Sequence, residues 1–524
     1  MRVRVVVDLD DQSGMAEPFV FSNWPPAIDE EQRNKLTLLA TTYALSHGLL
    51  YLPPADVPPP APTSAIHAPL ALFPAPFPRK LFENVQRLQH IYNVLYARIA
   101  LDTAFLDTVM GAEGVAKVDD FTRQLWQSWK RLRDEGTPEP VHLGIFRSDY
   151  LLHAPHGSDE PVSLKQVEFN TISSSFGALS ERVSGLHNYL LASTNYYGCS
   201  RHLTSDNLPP NKTTSTIVEG LATAHRAYGV KGAYILFVCQ ANERNVFDQR
   251  LVEYELLEKH GIHVIRQTFD GLFTSAIVSA DRKLTVSSPL HAPPLEIAVI
   301  YFRAGYTPVD YPTPAHYAMR EALSRSRAVS CPTLALQLAG GKKVQEVLTR
   351  PGVLEKFLLP VENKGRFGPE VFSEADVAAI RASWVEMWGL DDHDGVEKAR
   401  TRSSTLVLKP QREGGGNNVY RSAIPEFLDK LSREERAAWI AMALIEPPES
   451  VGGYLVRAGG ADTGAKKADV VSELGVFGWA LFSGREAGVE ERTGGWLVRT
   501  KGRESDEGGV AVGFSVLDSV LLVD

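Results

Sequence analysis

Apolar positions change their period along this chain, and the changes divide it into elements. From Lys80 to about Asp107 they recur at helical spacing, which predicts one long amphipathic helix, and residues 119–133 predict another. Between Tyr234 and Phe269 the pattern is a continuous apolar run (234–239), a polar loop, a helical stretch (247–260), Gly261 as its stop, and a second run (263–269). That order predicts a βαβ unit with a parallel pair of strands. A third strand, 296–302, ends like the first in a polar loop. The stretches 240–245 and 303–306 are therefore expected at the carboxyl ends of strands, facing one crevice.

Other stretches are defined by what breaks the pattern. Repeated prolines over 53–78 forbid regular helix or central strand, while Ile66, Leu70, Leu72, Phe73 and Phe77 are too apolar for a free linker, so an extended segment lying over the surface is expected. Ser373-Glu374-Ala375-Asp376 has the form of a capping box opening a helix that runs to about Trp388. Residues 452–469, rich in Gly and Ala, read as an insertion or mobile loop, either a lid or a solvated excursion.

Chemistry concentrates after the apolar run 405–408, where Lys409-Pro410-Gln411-Arg412-Glu413 leads into Gly414-Gly415-Gly416-Asn417-Asn418. Glycines allow backbone N–H groups to close around phosphate oxygens, Lys409 neutralises charge, and Glu413 offers hard oxygen to Mg²⁺. In a Walker A loop the lysine follows the glycines and a Ser or Thr comes next; here Lys409 precedes them. A second constellation is Glu168-Phe169-Asn170-Thr171-Ile172-Ser173-Ser174-Ser175. Strand alternation puts Glu168 and Asn170 on one face, where both oxygens can reach one cation. Arg147-Ser148-Asp149 offers an arginine suited to a carboxylate, or a local salt bridge. Near the C-terminus stand Glu473, Arg499 and Lys501, then the small-residue run 508–513.

Composition narrows the partners. The 524 residues carry a net charge of -9, with 44% hydrophobic and 22% charged residues, values of an ordinary globular protein long enough for two or three subdomains. Nucleic-acid binding needs clustered basic charge, so no such partner is expected. No apolar run reaches bilayer length, and the N-terminus does not read as a signal peptide, so no membrane partner is expected either. Three scattered cysteines exclude a disulfide framework or zinc ribbon and fit a reducing, cytoplasmic compartment. Cys239, ending an apolar run, reads as a small buried hydrophobe.

From about Arg147 to Asp518 the chain resembles the eukaryotic glutathione synthetase family. The similarity is carried by Glu-Phe-Asn-Thr-Ile-Ser-Ser-Ser-Phe-Gly from Glu168, Glu-Arg-Asn-Val-Phe-Asp-Gln-Arg from Glu243, Gln-Leu-Ala-Gly-Gly-Lys-Lys-Val-Gln from Gln337, and the Lys409 motif. The resemblance implies an α/β architecture: a circularly permuted ATP-grasp fold with an inserted parallel-sheet substrate-binding subdomain and a glycine-loop lid. Residues 1–229 would be the N-terminal part of the core with the metal strand, 230–340 the substrate subdomain, and 341–524 the lid and the rest of the core. It also implies a homodimer that joins γ-glutamylcysteine to glycine with ATP and Mg²⁺.

By the same resemblance Glu168, Asn170 and Glu413 are metal positions, and Arg147, Lys409 and Arg499 are catalytic. Nucleotide positions are Glu168, Lys342, Lys409, Pro410, Gln411, Arg412, Glu413, Gly414, Gly415, Gly416, Asn417, Asn418, Tyr420, Met442, Ala443, Leu444, Ile445, Glu473, Lys501 and Glu507. Peptide positions are Arg147, Ile172, Ser173, Ser174, Ser175, Glu243, Arg244, Asn245, Gln249, Arg303, Ala304, Gly305, Tyr306, Arg499, Val510 and Ala511. The chain departs from the family pattern at Ala304 and Glu507, where Asp is usual, and at Ala443-Leu444, where Glu-Lys is familiar. A related ligase with β-alanine or serine as acceptor, or a non-catalytic ATP-binding regulatory protein of this fold, are the alternatives.

Overall fold

Thirteen strands among the described residues form one mixed sheet, and its direction changes at strand His142–His153. The computed structural model describes residues 19–53, 61–137, 140–157, 160–360, 370–414, 416–458, 464–484, 488–505, 508–510, 513 and 515–524. On one side, His142–His153 runs antiparallel to Lys466–Phe482, followed by Val489–Gly502 and Ser515–Asp518. Its other neighbours are Ser163–Asn170, antiparallel, and Val329–Cys331, parallel. Beyond the latter lie His291–Phe302, Tyr234–Val238 and Val264–Gln267, all parallel.

The expected βαβ unit is present. Strand Tyr234–Val238 leads through helix Val246–His260 to Val264–Gln267, and Gly261 ends the helix at φ +64°. The continuous apolar run reflects burial on both faces: Ile235 and Phe237 enter one core, Leu236 and Val238 the other. Each such fully buried side chain contributes ~1.5–3 kcal/mol. A separate four-stranded antiparallel sheet, Met387–Gly389, Trp439–Ala443, Leu406–Pro410 and Val419–Tyr420, carries the glycine motif.

Four expectations need correction. The helix expected to reach Asp107 stops at Leu101, because the Asp102 carboxylate accepts the Phe105 N–H and starts a second helix, Thr103–Met110. The Ser373 capping box is present, but its helix ends at Ala382; Met387–Gly389 pairs instead with the Trp439–Ala443 strand. The proline-rich stretch does not merely lie over the surface: Leu70–Ala71 joins the main sheet, Ala75–Pro78 pairs with Val520–Val523, and Phe77 is fully buried. Residues 54–60 of it lie outside the described residues. Finally, 452–469 is not loop at its two ends. Gly452–Val456 pairs antiparallel with the start of Lys466–Phe482, and a Cβ on Gly453 would come within 3.1 Å of Val470, so this glycine reflects close packing rather than freedom. Residues 459–463 lie outside the described residues.

No helix of the described residues is long and apolar enough to cross a membrane. The three cysteines are unpaired, and burial pushes the Cys239 thiol up to about 11, which suits a packed hydrophobe.

Candidate active site

Two elements far apart in sequence deliver carboxylates to one lysine. Lys342 opens helix Lys342–Thr349, and its buried Nζ lies 3.1 Å from Glu168 Oε2 and 2.9 Å from Glu413 Oε1. Burial alone would raise the Glu168 carboxyl, but Lys342, Lys409 and Arg499 prevail and hold it at about 2. Burial, together with Glu168, pushes Glu413 up against the pull of Lys342. The pair therefore holds a cation at a common point. Lys409, at the end of strand Leu406–Pro410, is buried and donates to the Val167 carbonyl at 2.9 Å. Burial lowers its pKa, with Glu168 resisting.

The glycine motif is tied down before its glycines begin. Gln411 accepts the Lys343 N–H and donates to the Ala438 carbonyl, and Arg412 pairs with Asp119 at 2.6 Å. Gly414 and Gly416 take φ of +83° and +89°, backbone that a side chain disfavours; Gly415 lies outside the described residues. Pro410 ends the strand, and Asn417 and Asn418 follow the turn, donating to the Gly414 carbonyl and the Tyr420 hydroxyl. Met442 is buried, paired with Val407 across the small sheet. The Ala443 and Leu444 N–H groups donate to Glu386 and Thr405, so these two amides are committed within the protein, with Ile445 following them at the edge of the core.

A second charge cluster adjoins the first through strand register. Asp149 sits opposite both Glu168 and Gly475. Its fully buried carboxylate accepts from Arg147 Nε at 2.6 Å and Nη2 at 2.9 Å, from Asn170 Nδ2 at 3.0 Å, and from Arg499 Nη2 at 3.0 Å. Arg499 also pairs with Glu473, its cross-strand neighbour. Burial lowers the Arg499 pKa, but Glu473 and Asp149 outweigh it and hold the guanidinium charged. Gly475 is required here, since a Cβ would lie 2.6 Å from Asp149 Oδ1 and 2.7 Å from Arg147 Cδ. Lys501 lies two residues along the same strand, opposite Val471 and Ser515. Val510 is buried; Glu507 and Ala511 lie outside the described residues.

The serine turn and the two crevice loops meet as well. Arg303 is buried, donating to the Ser174 carbonyl at 2.8 Å and Ser175 Oγ at 2.6 Å, while Ser173 Oγ donates to the Phe302 carbonyl. Asp248 accepts the N–H groups of Phe176, Ala178 and Leu179, anchoring the turn to helix Val246–His260. Glu243 accepts from the Asn245 N–H and from Gln249. Arg244 donates to the Leu52 carbonyl and packs 4.7 Å over the Tyr51 ring. Ala304 is buried and offers no polar side chain. Ser174 Oγ, Asn245 Oδ1 and Arg303 Nε are buried without a hydrogen-bond partner, a costly state that a polar ligand would relieve. A cavity lined by Phe121, Ile172, Tyr306, Gln337, Lys342 and Glu413 joins this region to the lysine cluster.

The structure thus brings Glu168, Lys342, Lys409 and Glu413 together, and sets Arg147, Asn170, Glu473 and Arg499 around Asp149. Sequence reasoning did not select Asp149 as a site residue. The signal was available as Arg147-x-Asp149, two side chains on one strand face.

The model of the eukaryotic glutathione synthase ATP-binding domain matches residues 30–522. The chain belongs to this family of ATP-dependent ligases. It is 38% identical to the chloroplastic glutathione synthetase of Arabidopsis thaliana, covering 95% of this chain and 86% of that one. Against the glutathione synthetase of Homo sapiens the identity is 37%, over 95% and 99%, and against the large chain of Schizosaccharomyces pombe it is 34%, over 94% and 98%. Among solved structures, a glutathione synthetase-like effector from Globodera pallida in apo form shares the fold, with a TM-score of 0.71 and 24% identity over 95% of this chain and 98% of that one.

Proposed function

We propose that this glutathione synthase-family chain ligates γ-glutamylcysteine to glycine with ATP and Mg²⁺, and that the family site maps onto the residues assembled above. The observation that carries the reading is the convergence of Glu168 and Glu413 on Lys342 beside the Arg147–Asp149–Arg499 cluster. Two carboxylates that already share a cation, with Asn170 spending its Nδ2 on Arg147 and Asp149 and so keeping its amide oxygen to offer, form a hard-oxygen set of the kind Mg²⁺ takes. Glu168, Asn170 and Glu413 would hold the ion, which screens phosphate charge when bound.

Lys342 and Lys409 bind phosphate oxygens and the glycine loop closes over them. The cysteinyl carboxylate attacks the γ-phosphorus, ADP leaves, and an acyl phosphate forms. Glycine's amine then attacks the carbonyl carbon, the C–O bond to phosphate breaks, and the proton lost from the amine passes to the departing phosphate as the amide forms. Arg147 and Arg499 steady the reacting carboxylate and the developing oxyanion. The three orphaned polar atoms around Ser174 support a polar donor pocket there. We further propose a cytoplasmic homodimer, built from residues 1–229, 230–340 and 341–524 as core, donor subdomain and lid with remaining core; sedimentation of the purified chain tests the dimer.

The deciding experiment measures ADP release with γ-glutamylcysteine, with and without glycine, and the mass of the product. ADP release that needs the dipeptide, with a product heavier by one glycyl residue, is expected. Release independent of the dipeptide overturns the reading, and incorporation of β-alanine or serine in preference to glycine overturns the acceptor.

A further inference from the structure

The 303–306 loop is held by a carboxylate that lies outside every assigned site position. Asp310 closes the short turn Pro308–Asp310, and its Oδ2 accepts three consecutive backbone N–H groups: Gly305 at 2.9 Å, Tyr306 at 3.1 Å and Thr307 at 3.3 Å. A capping turn needs only part of this. The other oxygen, Oδ1, accepts Gln240 Nε2 at 2.9 Å, and the same Nε2 lies 3.1 Å from the Tyr306 hydroxyl. Gln240 begins the loop after strand Tyr234–Val238, so one side chain joins the two loops that flank the crevice.

The opposite end of the Gly305 peptide is fixed too. Its carbonyl accepts from Gln337 Nε2 at 2.8 Å and from the Tyr311 hydroxyl at 3.2 Å. Gly305 stands at φ +92°, backbone that needs such restraint. Ala304 contributes no polar group to this loop, so the carboxylate that orders it comes from Asp310.

We infer that Asp310 is a positioning residue for the donor dipeptide: it sets the Gly305–Tyr306 backbone and, through Gln240, the Tyr306 hydroxyl, so that both crevice loops present one preformed surface. This rests on the reading of the crevice as the γ-glutamylcysteine site. Charge-assisted acceptance by a single carboxylate keeps three amides aligned before substrate arrives, which lowers the ordering cost of binding.

The test is steady-state kinetics on the full chain with Asp310→Ala, Asp310→Asn and Gln240→Ala. Asp310→Ala should raise KM for γ-glutamylcysteine ~10-fold while kcat and the KM for ATP change less than ~3-fold. Asp310→Asn keeps an oxygen for the three amides and should recover most of the loss, and Gln240→Ala should raise the same KM by a smaller factor. An unchanged dipeptide KM in all three variants overturns the inference, as does a loss confined to kcat, or an Asn variant as impaired as the Ala one. If Asp310→Ala fails to fold, the Asn and Gln240 variants decide alone: a raised dipeptide KM in Gln240→Ala supports the inference and an unchanged one overturns it. Wild-type chain that does not turn over this dipeptide overturns the functional reading and the inference together; active wild type with unaffected variants overturns the inference alone.

Discussion

Arg499 Nη2 meets Asp149 Oδ2 at 3.0 Å, and the same carboxylate holds Arg147, so two arginines distant in sequence share one buried anion. Breaking a buried pair leaves an uncompensated charge, which costs ~3–5 kcal/mol. Asp149→Asn should therefore lower both the melting temperature and kcat/KM, the latter by on the order of 100-fold, because both guanidinium groups lose their common reference. Parallel melting and kinetic measurements check this; loss of stability with unchanged kcat/KM would confine Asp149 to the fold.

Glu413 lies at the start of a loop, and Lys342 keeps Glu168 when it is removed. Glu413→Gln should abolish most turnover, by ~100-fold or more, while the melting temperature moves by only a few degrees. Its activity should also need more Mg²⁺. Normal turnover in this variant would refute the metal assignment.

Gly475 has no room for a methyl group beside Asp149 and Arg147. Gly475→Ala should force these side chains apart and reduce both activity and stability, by ~1–3 kcal/mol for the latter. A crystal structure of the variant with the ion pair undisturbed would contradict this.

Asp518 gives a pH test with a defined sign. Burial pushes its carboxyl up to about 7, against hydrogen bonds from Thr500 and the Ser519 N–H. The folded state thus keeps a proton that the unfolded chain releases in the ordinary carboxylate range. Stability associated with this group is present below that range and is lost as pH rises toward about 7. Asp518→Asn removes the proton linkage, so its melting temperature should fall less than that of the wild type between pH 4.5 and 7. Identical slopes for both proteins would show that Asp518 ionises normally.

Glu168 carries the opposite sign. With its carboxyl held at about 2, its contribution is complete above the ordinary carboxylate range and fades as pH falls toward 2. Acid unfolding of Glu168→Gln should consequently be shallower than that of the wild type over that interval.

What the sequence made legible was local. The βαβ unit, the Ser373 cap and the glycine motif each sit within one contiguous stretch, where period and turn chemistry decide the outcome. Misreadings arose where a distant partner overrode local pattern: Asp102 capping a new helix, Met387 captured by the Trp439–Ala443 strand, and Gly453 packed against Val470. The Lys409 loop and the Glu168 strand could be singled out because each holds its own chemistry. Asp149 could not be ranked above a local salt bridge, since what distinguishes it is Arg499, brought alongside by sheet pairing.

The lysine shared by Glu168 and Glu413 has a consequence for how the proposed nucleotide site would be loaded. Lys342 already lies between the two acids, so part of their mutual repulsion is offset within the protein itself. If the proposed divalent ion enters, it would compete with the Lys342 ammonium for the same two acids, so loading would be an exchange of partners within the cluster.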